Sequence, residues 1–460
     1  MSENGKKQLH LGVFMLNAGQ HMGGWRHPET QADRLLDIAF YQDFARLAER
    51  GRFDTILVLE QIAIGEHLGK VAAERTIPTL DTVTLLSVMA AVTERIGLTG
   101  TLSTTYNDPF HAASRFATLD HLSKGRAGWN MVTSQDPLIA AQFSKDAHMD
   151  HALRYERANE FAEVAMKLWD SLEEDAAASA QTSGPYIDPA KVHDIDHHGT
   201  YFSIRGSSYI PRPVQGHPVL FQAGSSGSGL KFAAQKAEVV FTAQVDLHEA
   251  QAYYAHLKGL VQSYGRRPDQ LHILPGLAPI IGSTEQEAKE KEAYFNELVL
   301  PQTAVNILAG TLDIDLSSYP LDGPFPYWEI DAEANNSKKS RLQLLKDLGQ
   351  REGLTVRQMS RHVISAGGHH TFAGTPEQLA DLMETWLDQG ACDGFNIMPS
   401  HYLRGLEEFV DHVVPVLQQR GRYRTEYTGH TLREHLGLKP PVNRWRREQP
   451  EQAQIPITHS

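Results

Sequence analysis

The sequence predicts an α/β protein of the (β/α)8 TIM-barrel class with insertion segments, built as a single domain over residues 1–460. Eight short apolar runs alternate with longer segments of helical periodicity, which is the pattern of parallel strands joined by crossover helices. Polar and glycine-rich residues follow most of these runs, as in the loops at the carboxyl ends of barrel strands. An open doubly wound sheet is the alternative, because strand order cannot be read from one sequence.

The apolar runs are short, and several are rich in β-branched residues. Phe53–Leu59 (FDTILVL) is nearly continuous in apolar side chains, as expected of a strand that is buried on both faces. The predicted strands are Leu9–Leu16, Phe53–Leu59, Ile96–Thr101, Ala127–Val132, Val219–Ala223, Val239–Thr242, Leu271–Ile281 and Gly394–Met398.

Amphipathic helices lie between these strands. Leu35–Arg50 places its apolar residues roughly on one face, and Gly51 ends it. Asp81 can cap a helix that runs through Val92, because its carboxylate can accept hydrogen bonds from backbone N–H groups of the first turn. The further predicted helices are Phe110–Leu122, Arg154–Leu172, Leu230–Ala237, Leu247–Tyr264, Thr284–Leu300, Pro376–Gln389 and Leu406–Gln419.

Two excursions, at about 173–215 and about 301–370, interrupt the alternation. We expect both to be insertions into one barrel rather than linkers between domains. The second contains Pro320, Pro324 and Pro326, and it is the predicted lid over the barrel opening. The tail from 420 to 460 is locally basic, and we expect it to be a solvated or subunit-facing segment.

Composition excludes several classes of partner. Lys and Arg total 43 and Asp and Glu total 56, and the resulting charge of −13 argues against nucleic acid and membrane surfaces. The single cysteine, Cys392, cannot form an internal disulfide, which fits a reducing compartment. No run approaches the roughly 20 apolar residues of a membrane helix. We therefore expect a cytoplasmic protein.

Hydroxyl and amide side chains dominate the positions just after the predicted strands, where barrel enzymes place their chemistry. Paired carboxylates suited to glycoside hydrolysis are missing from these positions, and so is an obvious nucleophile with its base. The positions are Asn17 and His21, Glu60 and Gln61, Ser103–Tyr106, Thr133–Gln135, Gly224–Gly229, and Pro399–His401.

The segment Ala223–Gly229 (AGSSGSG), between a strand and a helix, is the most informative local feature, and we call it the cradle. Small residues let backbone N–H groups converge on an anion, and a helix N-terminus adds partial positive charge. Ser225 and Ser226 add hydroxyl donors. The pattern predicts a phosphate site, although it matches neither a dinucleotide fingerprint nor a P-loop. A flexible turn without a ligand is the alternative.

His151 and Tyr155 are four residues apart at the start of a helix and hence on one face, where both can point at a bound polar ligand. On spacing alone, a half-buried pair on a polar helix face is the favoured alternative.

Five histidines in the excursions invite a metal interpretation, because neutral imidazoles bind zinc and iron. They lack the set spacing of a catalytic zinc site and lie in irregular segments. We therefore expect solvated loop histidines and no metal site. They are His193, His197, His198, His369 and His370.

Several long motifs, in order from about residue 8 to 438, resemble one known family. They are WRHPETQAD (Trp25–Asp33), RGRFDTILVLE (Arg50–Glu60), STTYNDPFHAASRFATLDHLSKGRAGWNMVTS (Ser103–Ser134), HALRYERANEF (His151–Phe161), FQAGSSGSGLKFAAQKAEVVF (Phe221–Phe241) and FVDHVVPVLQQRGRYRTEYTGHTLREHLGL (Phe409–Leu438). The family is that of the bacterial-luciferase-like flavin monooxygenases, in the branch of the nitrilotriacetate, dibenzothiophene-sulfone and long-chain-alkane monooxygenases.

The resemblance implies a TIM barrel that binds reduced FMN supplied by a separate NAD(P)H-dependent flavin reductase. Dioxygen then adds at C4a of the flavin, and the peroxide oxygenates a small organic substrate at a sulfur, nitrogen or carbon centre. Carried over position by position, the resemblance makes the cradle the FMN phosphate site and Tyr155 a phosphate donor. The implied flavin contacts are Glu60, Thr104 or Thr105, Ser134, His151, Tyr155, Ser225 and Ser226.

His21, in the first strand-end loop, is the candidate for a catalytic hydrogen bond on the substrate or peroxide side, and the alternative is that it only braces that loop. Met15, Trp25 and Tyr106 are candidates for an apolar substrate pocket, whereas Phe14 fits plain barrel core better. We expect a homodimer or homotetramer. A metal-dependent TIM-barrel hydrolase that uses the clustered histidines, and a flavin-binding protein without catalysis, are the alternative functions.

Overall fold

A closed barrel of parallel strands forms the centre of the molecule. The computed structural model describes residues 6–16, 18–62, 66–67, 70–71, 79–134, 139–177, 186–332 and 339–447, so the strand-end residues Asn17 and Gln135 lie outside the described part. The first and last barrel strands pair, with His10 opposite Gly394, so the eight barrel strands close into a ring. The (β/α)8 prediction is confirmed, and the open-sheet alternative is wrong.

The barrel strands coincide with the eight predicted runs, with bounds shifted by a few residues. Nearly all of their positions are buried, because the interior packs on one face and the helices cover the other. The strands are β1 His10–Met15, β2 Thr55–Val58, β3 Gly97–Ser103, β4 Ala127–Val132, β5 Val219–Gln222, β6 Val239–Thr242, β7 His272–Ile281 and β8 Gly394–Ile397.

Eight helices surround the barrel, and aspartate caps begin several of them. The predicted cap is confirmed, since Asp81 Oδ1 accepts from Thr84 N at 2.9 Å. Two helices begin three residues earlier than predicted, because Asp150 and Ser226 act as their N-caps. The helices are α1 Ile38–Arg50, α2 Thr82–Ala90, α3 Pro109–Leu122, α4 His151–Asp170, α5 Gly227–Lys236, α6 Leu247–Ser263, α7 Glu285–Glu297 and α8 Pro376–Asp388.

The first excursion is an insertion with little regular structure of its own. It contains a 3-10 turn at Pro189–Lys191 and an antiparallel pair, Ile195–His198 with Ser203–Gly206. A second short antiparallel pair, Glu66–His67 with Lys70–Val71, lies between β2 and α2.

The second excursion is helical, although its sequence predicts a break in the pattern. The helices Pro301–Leu312, Lys339–Glu352 and Val356–Ala366 pack around a separate apolar cluster that includes Phe325 and Leu345. An unpredicted strand, His370–Gly374, then pairs with the second half of β7, with Leu277 opposite His370. The segment is therefore a folded subdomain on the barrel.

In its described part, residues 420–447, the C-terminal tail packs on the barrel, so the expectation of a solvated segment is wrong there. Arg433 is 2% exposed, and its guanidinium donates to Glu238 at 2.6 and 2.9 Å. Arg424 pairs with Asp54, which is completely buried. Ion pairs therefore hold the tail on the barrel. The basic composition of the tail did not indicate these partners. The predicted helix Leu406–Gln419 precedes the tail and is observed as Arg404–Glu408, a π-helical turn at Phe409–Val413, and Val414–Gln419. The helical segments in the described part of the tail are Leu432–His435 and Arg444–Arg447.

The main apolar core lies between the strands and the helices, where Trp129 of β4 packs against Phe116 and Phe161. A smaller cluster at the top of the barrel interior includes Phe14 and Phe241, and we call it the mouth cluster. In the described residues, no helix has the length and apolar character needed to cross a bilayer.

Candidate active site at the barrel mouth

The loops after β2, β3 and β4 meet at the barrel mouth, the end where the carboxyl ends of the strands open. The buried hydroxyls of Ser103 and Ser134 lie 2.6 Å apart, and Ser103 N donates to Glu60 Oε2 at 2.7 Å. Ser134 has φ of 51°, a left-handed conformation that is uncommon outside glycine and is often found at functional sites. Two predicted residues, Glu60 and Ser134, are thereby joined through Ser103.

Thr104 and Thr105 lock the β3 loop against the β4 loop. The Thr104 hydroxyl donates to Val132 O at 3.0 Å, and the Thr105 hydroxyl donates to Thr133 O at 2.7 Å. Both threonines are buried, so each hydroxyl proton is held by the backbone. The oxygen lone pairs of these hydroxyls remain available to accept hydrogen bonds.

Glu60 is an unusual carboxyl group because it is half-buried at the mouth. Burial is the main cause that raises the pKa of Glu60 to about 7, and the hydrogen bond from Ser103 N opposes the shift. Its side chain therefore exists in both protonation states near neutral pH. It can accept a hydrogen bond in one state and donate one in the other.

The cradle and the start of α4 form one hydrogen-bonded unit. Ser226 is the N-cap of α5, with its Oγ accepting from Gly229 N at 3.2 Å, and it lies 3.3 Å from His151 Nε2. The buried Tyr155 hydroxyl is hydrogen-bonded to Ser226 and Thr133. His151 and Tyr155 are thus brought to the predicted cradle, and both are half-buried there. Their role as ligand contacts stays a prediction.

Glycine at position 224 is required by the close approach of this unit. A Cβ at Gly224 would lie 2.2 Å from Tyr155 Oη and 2.4 Å from Gln222 Nε2. The turn thus packs its backbone against a phenol, while Ser225 and Ser226 stay half-buried at the open side. Hydroxyl donors, an imidazole and a helix N-terminus around one turn fit a phosphate monoester.

His21 has the contacts of a loop brace. It is 3% exposed, its Nδ1 accepts from Gly23 N at 3.0 Å, and its ring centre lies 5.3 Å from that of Phe295. Burial lowers the pKa of His21 to about 4, so the ring is neutral at physiological pH. These contacts favour the bracing alternative, and a catalytic role for His21 stays a prediction.

The histidines of the excursions do not share one environment. His197 and His369 are buried, so the expectation of solvated side chains is wrong for them, whereas His198 is exposed. His193 stacks on Trp445 with ring centres 4.4 Å apart. In the described ranges, a single group of three side chains has the spacing of metal ligands, and it includes none of these five. It consists of His27, Glu29 and His401.

The candidates for the apolar substrate pocket also lie in different environments. Phe14 lies in the mouth cluster, 5.2 Å from Phe241 between ring centres, as the interpretation of barrel core expects. The Tyr106 hydroxyl lies 2.6 Å from His148 Nδ1. Trp25 is half-buried beneath the guanidinium of Arg26. A substrate pocket at Met15, Trp25 and Tyr106 stays a prediction.

Two further residues at the mouth were missed by sequence reasoning. Both belong to helices of the second excursion: Arg341 Nη2 lies 3.2 Å from His369 Nε2, and burial and the charge of Arg341 lower the pKa of His362 to about 4. The local sequence around Arg341 (KSRLQLLK) is that of an ordinary surface helix. Its packing against His369 depends on contacts distant in the chain, so no local signal identifies it.

Comparison with known proteins agrees with this geometry. A family model described as luciferase-like monooxygenase matches residues 10–393. The chain is 47% identical over 441 residues to N-acetyl-S-(2-succino)cysteine monooxygenase of Bacillus subtilis (strain 168), covering 96% of this chain and 99% of that protein. It is 44% identical over 446 residues to nitrilotriacetate monooxygenase component A of Aminobacter aminovorans, covering 95% and 98%.

Among solved structures, riboflavin lyase with modified FMN and its substrate riboflavin matches with a TM-score of 0.83 and 31% identity, covering 95% of this chain and 97% of that chain. None of these three proteins is named as a hydrolase, so the hydrolase alternative has no support from them. The family model and both relatives span most of the chain, barrel mouth and cradle included. The chain therefore belongs to the luciferase-like monooxygenase family and is a flavin-dependent monooxygenase.

Proposed function

We propose that this enzyme is the oxygenase component of a two-component system that uses reduced FMN and dioxygen to oxygenate a small organic molecule. The observation that carries the proposal is the cradle, in which Ser226 caps α5 beside His151 and Tyr155. A phosphate at this turn distinguishes FMN from riboflavin, which has no anionic end.

The residues around the mouth suit the two ends of FMN. Ser225, Ser226, His151 and Tyr155 would hold the phosphate. Bound reduced flavin would supply the activation of dioxygen, and the protein's task is to bind, orient and shield it. The apolar mouth cluster lies under this site and excludes water from the barrel interior. The ring end would lie against Glu60, Thr104, Thr105 and Ser134.

Neutral Glu60 is suited to a proton-donating hydrogen bond toward the flavin ring. The pKa of about 7 leaves roughly half of the molecules protonated at neutral pH. Strong acids are missing among the described residues that we place around the ring, which limits stray proton delivery at the oxygenation site. His21 is the predicted hydrogen-bonding residue on the substrate side.

A separate NAD(P)H-dependent flavin reductase is the proposed source of reduced FMN. The relative from Aminobacter is named as component A, which implies at least one further component in that system. Both reported relatives are named for small polar acids that contain nitrogen or sulfur, and this supports a small nitrogen- or sulfur-containing substrate here. A homodimer or homotetramer is expected, and multi-angle light scattering of the purified protein measures it.

An oxygen-labelling experiment tests the function. The purified enzyme is mixed with a flavin reductase, NADH, FMN and 18O2, together with nitrilotriacetate, N-acetyl-S-(2-succino)cysteine and a panel of small thioethers and amines. We expect one product, or its cleavage fragment, to carry one 18O atom in its mass spectrum. Photoreduced FMN added anaerobically before 18O2 should replace the reductase, since the reductase only supplies reduced flavin.

The alternatives give different results in the same experiment. A flavin-binding protein without catalysis would yield hydrogen peroxide and no labelled product at any substrate. A metal-dependent hydrolase would convert substrate without flavin, would incorporate oxygen from water, and would lose activity with a chelator. Either pattern would contradict the proposal.

A further inference from the structure

Arg341 at the barrel mouth has no counter-charge among the residues that the structure describes. It is half-buried as a residue, but its Nη1 atom is closed off from solvent and has no hydrogen-bond partner in the described ranges. Its Nη2 atom lies 3.2 Å from Nε2 of His369. Throughout the described ranges, no carboxylate forms an ion pair with this guanidinium, and burial is the cause that lowers the pKa of Arg341 to about 10.

The partner of Arg341 is a neutral group inside the barrel opening. His369 is 8% exposed and stacks on Phe241 of the mouth cluster, with ring centres 4.9 Å apart and planes within 3°. A Cβ at Gly276 on β7 would lie 2.4 Å from His369 Nδ1, so the imidazole sits directly on the barrel strands. Burial and the charge of Arg341 hold the pKa of His369 well below its usual range. The imidazole therefore orients Arg341 without neutralising it.

A second polar group of the same excursion is also closed off. His362 Nε2 is shielded from solvent and has no hydrogen-bond partner among the described residues. Burial is the main cause that lowers the pKa of His362 to about 4, and the charge of Arg341 acts in the same direction. Arg341 and His362 belong to consecutive helices of the second excursion.

An isolated buried guanidinium is costly unless an anion completes its hydrogen bonds, because charge is strongly disfavoured away from water. Arginine presents a planar fork of N–H donors that matches a carboxylate. We propose that Arg341, oriented by His369, is the receptor for a carboxylate group of the substrate, so that the enzyme acts on small carboxylic acids. This inference deepens the proposed function and rests on it for the reaction.

The cradle accounts for the phosphate of FMN, so the two anion sites have separate tasks. The cradle lies at the start of α5, after β5, whereas Arg341 lies on His369 above β6 and β7. Both relatives reported above are named for compounds with several carboxylates, a tricarboxylate in one case and a succinylated N-acetylcysteine in the other. Carboxylates of this kind match the N–H donors of the Arg341 guanidinium.

Direct binding tests the receptor independently of catalysis. Isothermal titration calorimetry of the wild type at pH 7, with and without oxidised FMN, uses nitrilotriacetate, N-acetyl-S-(2-succino)cysteine and the methyl esters of both. We expect at least one free acid to bind and its ester to bind at least tenfold more weakly. R341M should weaken binding of the acid by roughly 10- to 100-fold, the range for a hydrogen bond to a charged group. R341K keeps the charge but not the planar set of N–H donors, so its affinity for the acid should lie between those of the wild type and R341M.

R351M is the matched control. Arg351 lies on the same helix, but its guanidinium is at the surface and 2.5 Å from Glu249. Its replacement should leave the affinity for the acids unchanged. R341M should also keep or raise the melting temperature without ligand, because it removes an uncompensated buried cation. A purely structural arginine would show a lower melting temperature with unchanged affinity.

Several results would overturn the receptor. They are unchanged acid binding in R341M, ester binding as tight as acid binding, wild-type protein that binds neither acid under either condition, and an R341M variant that loses affinity for FMN instead. The last result would assign Arg341 to the flavin phosphate. If the acids bind through Arg341 but no labelled product forms in the oxygenation assay, the proposed function fails and the carboxylate site stands.

Discussion

Ser226 has two roles that a single substitution can separate. Its Oγ accepts from Gly229 N as a helix cap, and it lies next to His151 where the phosphate is proposed to bind. Aspartate caps a helix about as well as serine, because its carboxylate accepts the same hydrogen bond. An aspartate at this position therefore preserves α5 while it adds a negative charge to the cradle.

The double variant S225D/S226D should lose FMN affinity without losing its fold. Like charges would face each other at the cradle, and we expect a loss of about 2–5 kcal/mol in binding free energy. Anaerobic titration of reduced FMN, followed by fluorescence, measures the change. S263D is the control, because Ser263 is exposed at the far end of α6. Unchanged FMN affinity in the double variant would remove the cradle from the site.

Glu60 should make the stability of the enzyme depend on pH. Its pKa is about 7 in the folded state, above the ordinary value of 4.5, so the folded protein holds the proton more tightly than the unfolded chain. Below about pH 4.5 the carboxyl is protonated in both states and does not lower the free energy of unfolding. As the pH rises, ionising the half-buried carboxyl lowers the free energy of unfolding, and this loss is complete above pH 7. A shift of this size corresponds to about 3 kcal/mol at most.

E60Q removes this loss while it keeps an oxygen that accepts from Ser103 N. We expect E60Q to raise the melting temperature at pH 8 and to change it little at pH 5. Calorimetric scans at both pH values measure the difference, and E290Q, at an exposed position on α7, serves as the control. An equal effect of E60Q at the two pH values would contradict the raised pKa.

At the scale of elements, the barrel strands were predictable because each is a local apolar run that stays buried, as at Thr55–Val58. The helices of the second excursion were not predicted, since Pro320, Pro324 and Pro326 mark breaks. The apolar stripe Leu342, Leu345 and Leu348 was nevertheless present at helical spacing and is buried against the insertion's own core. The prolines in the first part of the excursion indicated irregular structure, and that interpretation was extended to the next part, where the spacing of the leucines indicates a helix.

The helix Val356–Ala366 begins with a capping box that stabilises the insertion. Thr355 Oγ1 accepts from Gln358 N at 3.2 Å, and Gln358 Oε1 accepts from Thr355 N at 2.9 Å. T355A should destabilise this helix by about 1 kcal/mol. Hydrogen exchange should show faster exchange within the insertion and unchanged exchange in the barrel. T385A, at an exposed position inside α8, should show neither effect, and equal exchange in both variants would remove the cap's role.

For the molecule as a whole, the sequence indicated one of the two proposed anion sites and gave no signal for the other, for a physical reason. Ser225 and Ser226 are contiguous with the helix that they serve, so composition alone indicates a site. The contact and burial of Arg341 depend on His369, which is 28 residues away in the chain, and on the barrel strands on which His369 lies. A buried arginine without a counter-charge can be recognised only when the neighbours that bury it are known.

The tail packs against the amino ends of the barrel strands, where an arginine far away in the sequence forms an ion pair. Arg433, 2% exposed, donates to both oxygens of Glu238, and Glu238 also accepts from Leu220 N on β5 at 3.1 Å. Arg433 further donates to His217 O at 3.0 Å. The tail thus joins the amino ends of the strands to the last segment of the chain, and its arginines act as internal cross-links.

R433M should therefore destabilise the whole fold, because it leaves the half-buried carboxylate of Glu238 without its partner, at an expected cost of about 3 kcal/mol. R433M/E238Q should recover part of this loss, since it removes the stranded charge as well. Urea unfolding of the single and double variants measures the coupling between the two residues. R420M is the control, because Arg420 pairs with Asp381 and Glu384 at the surface and should cost less than about 1 kcal/mol. Equal costs for R433M and R420M would mean that the tail lies on the barrel without holding it closed.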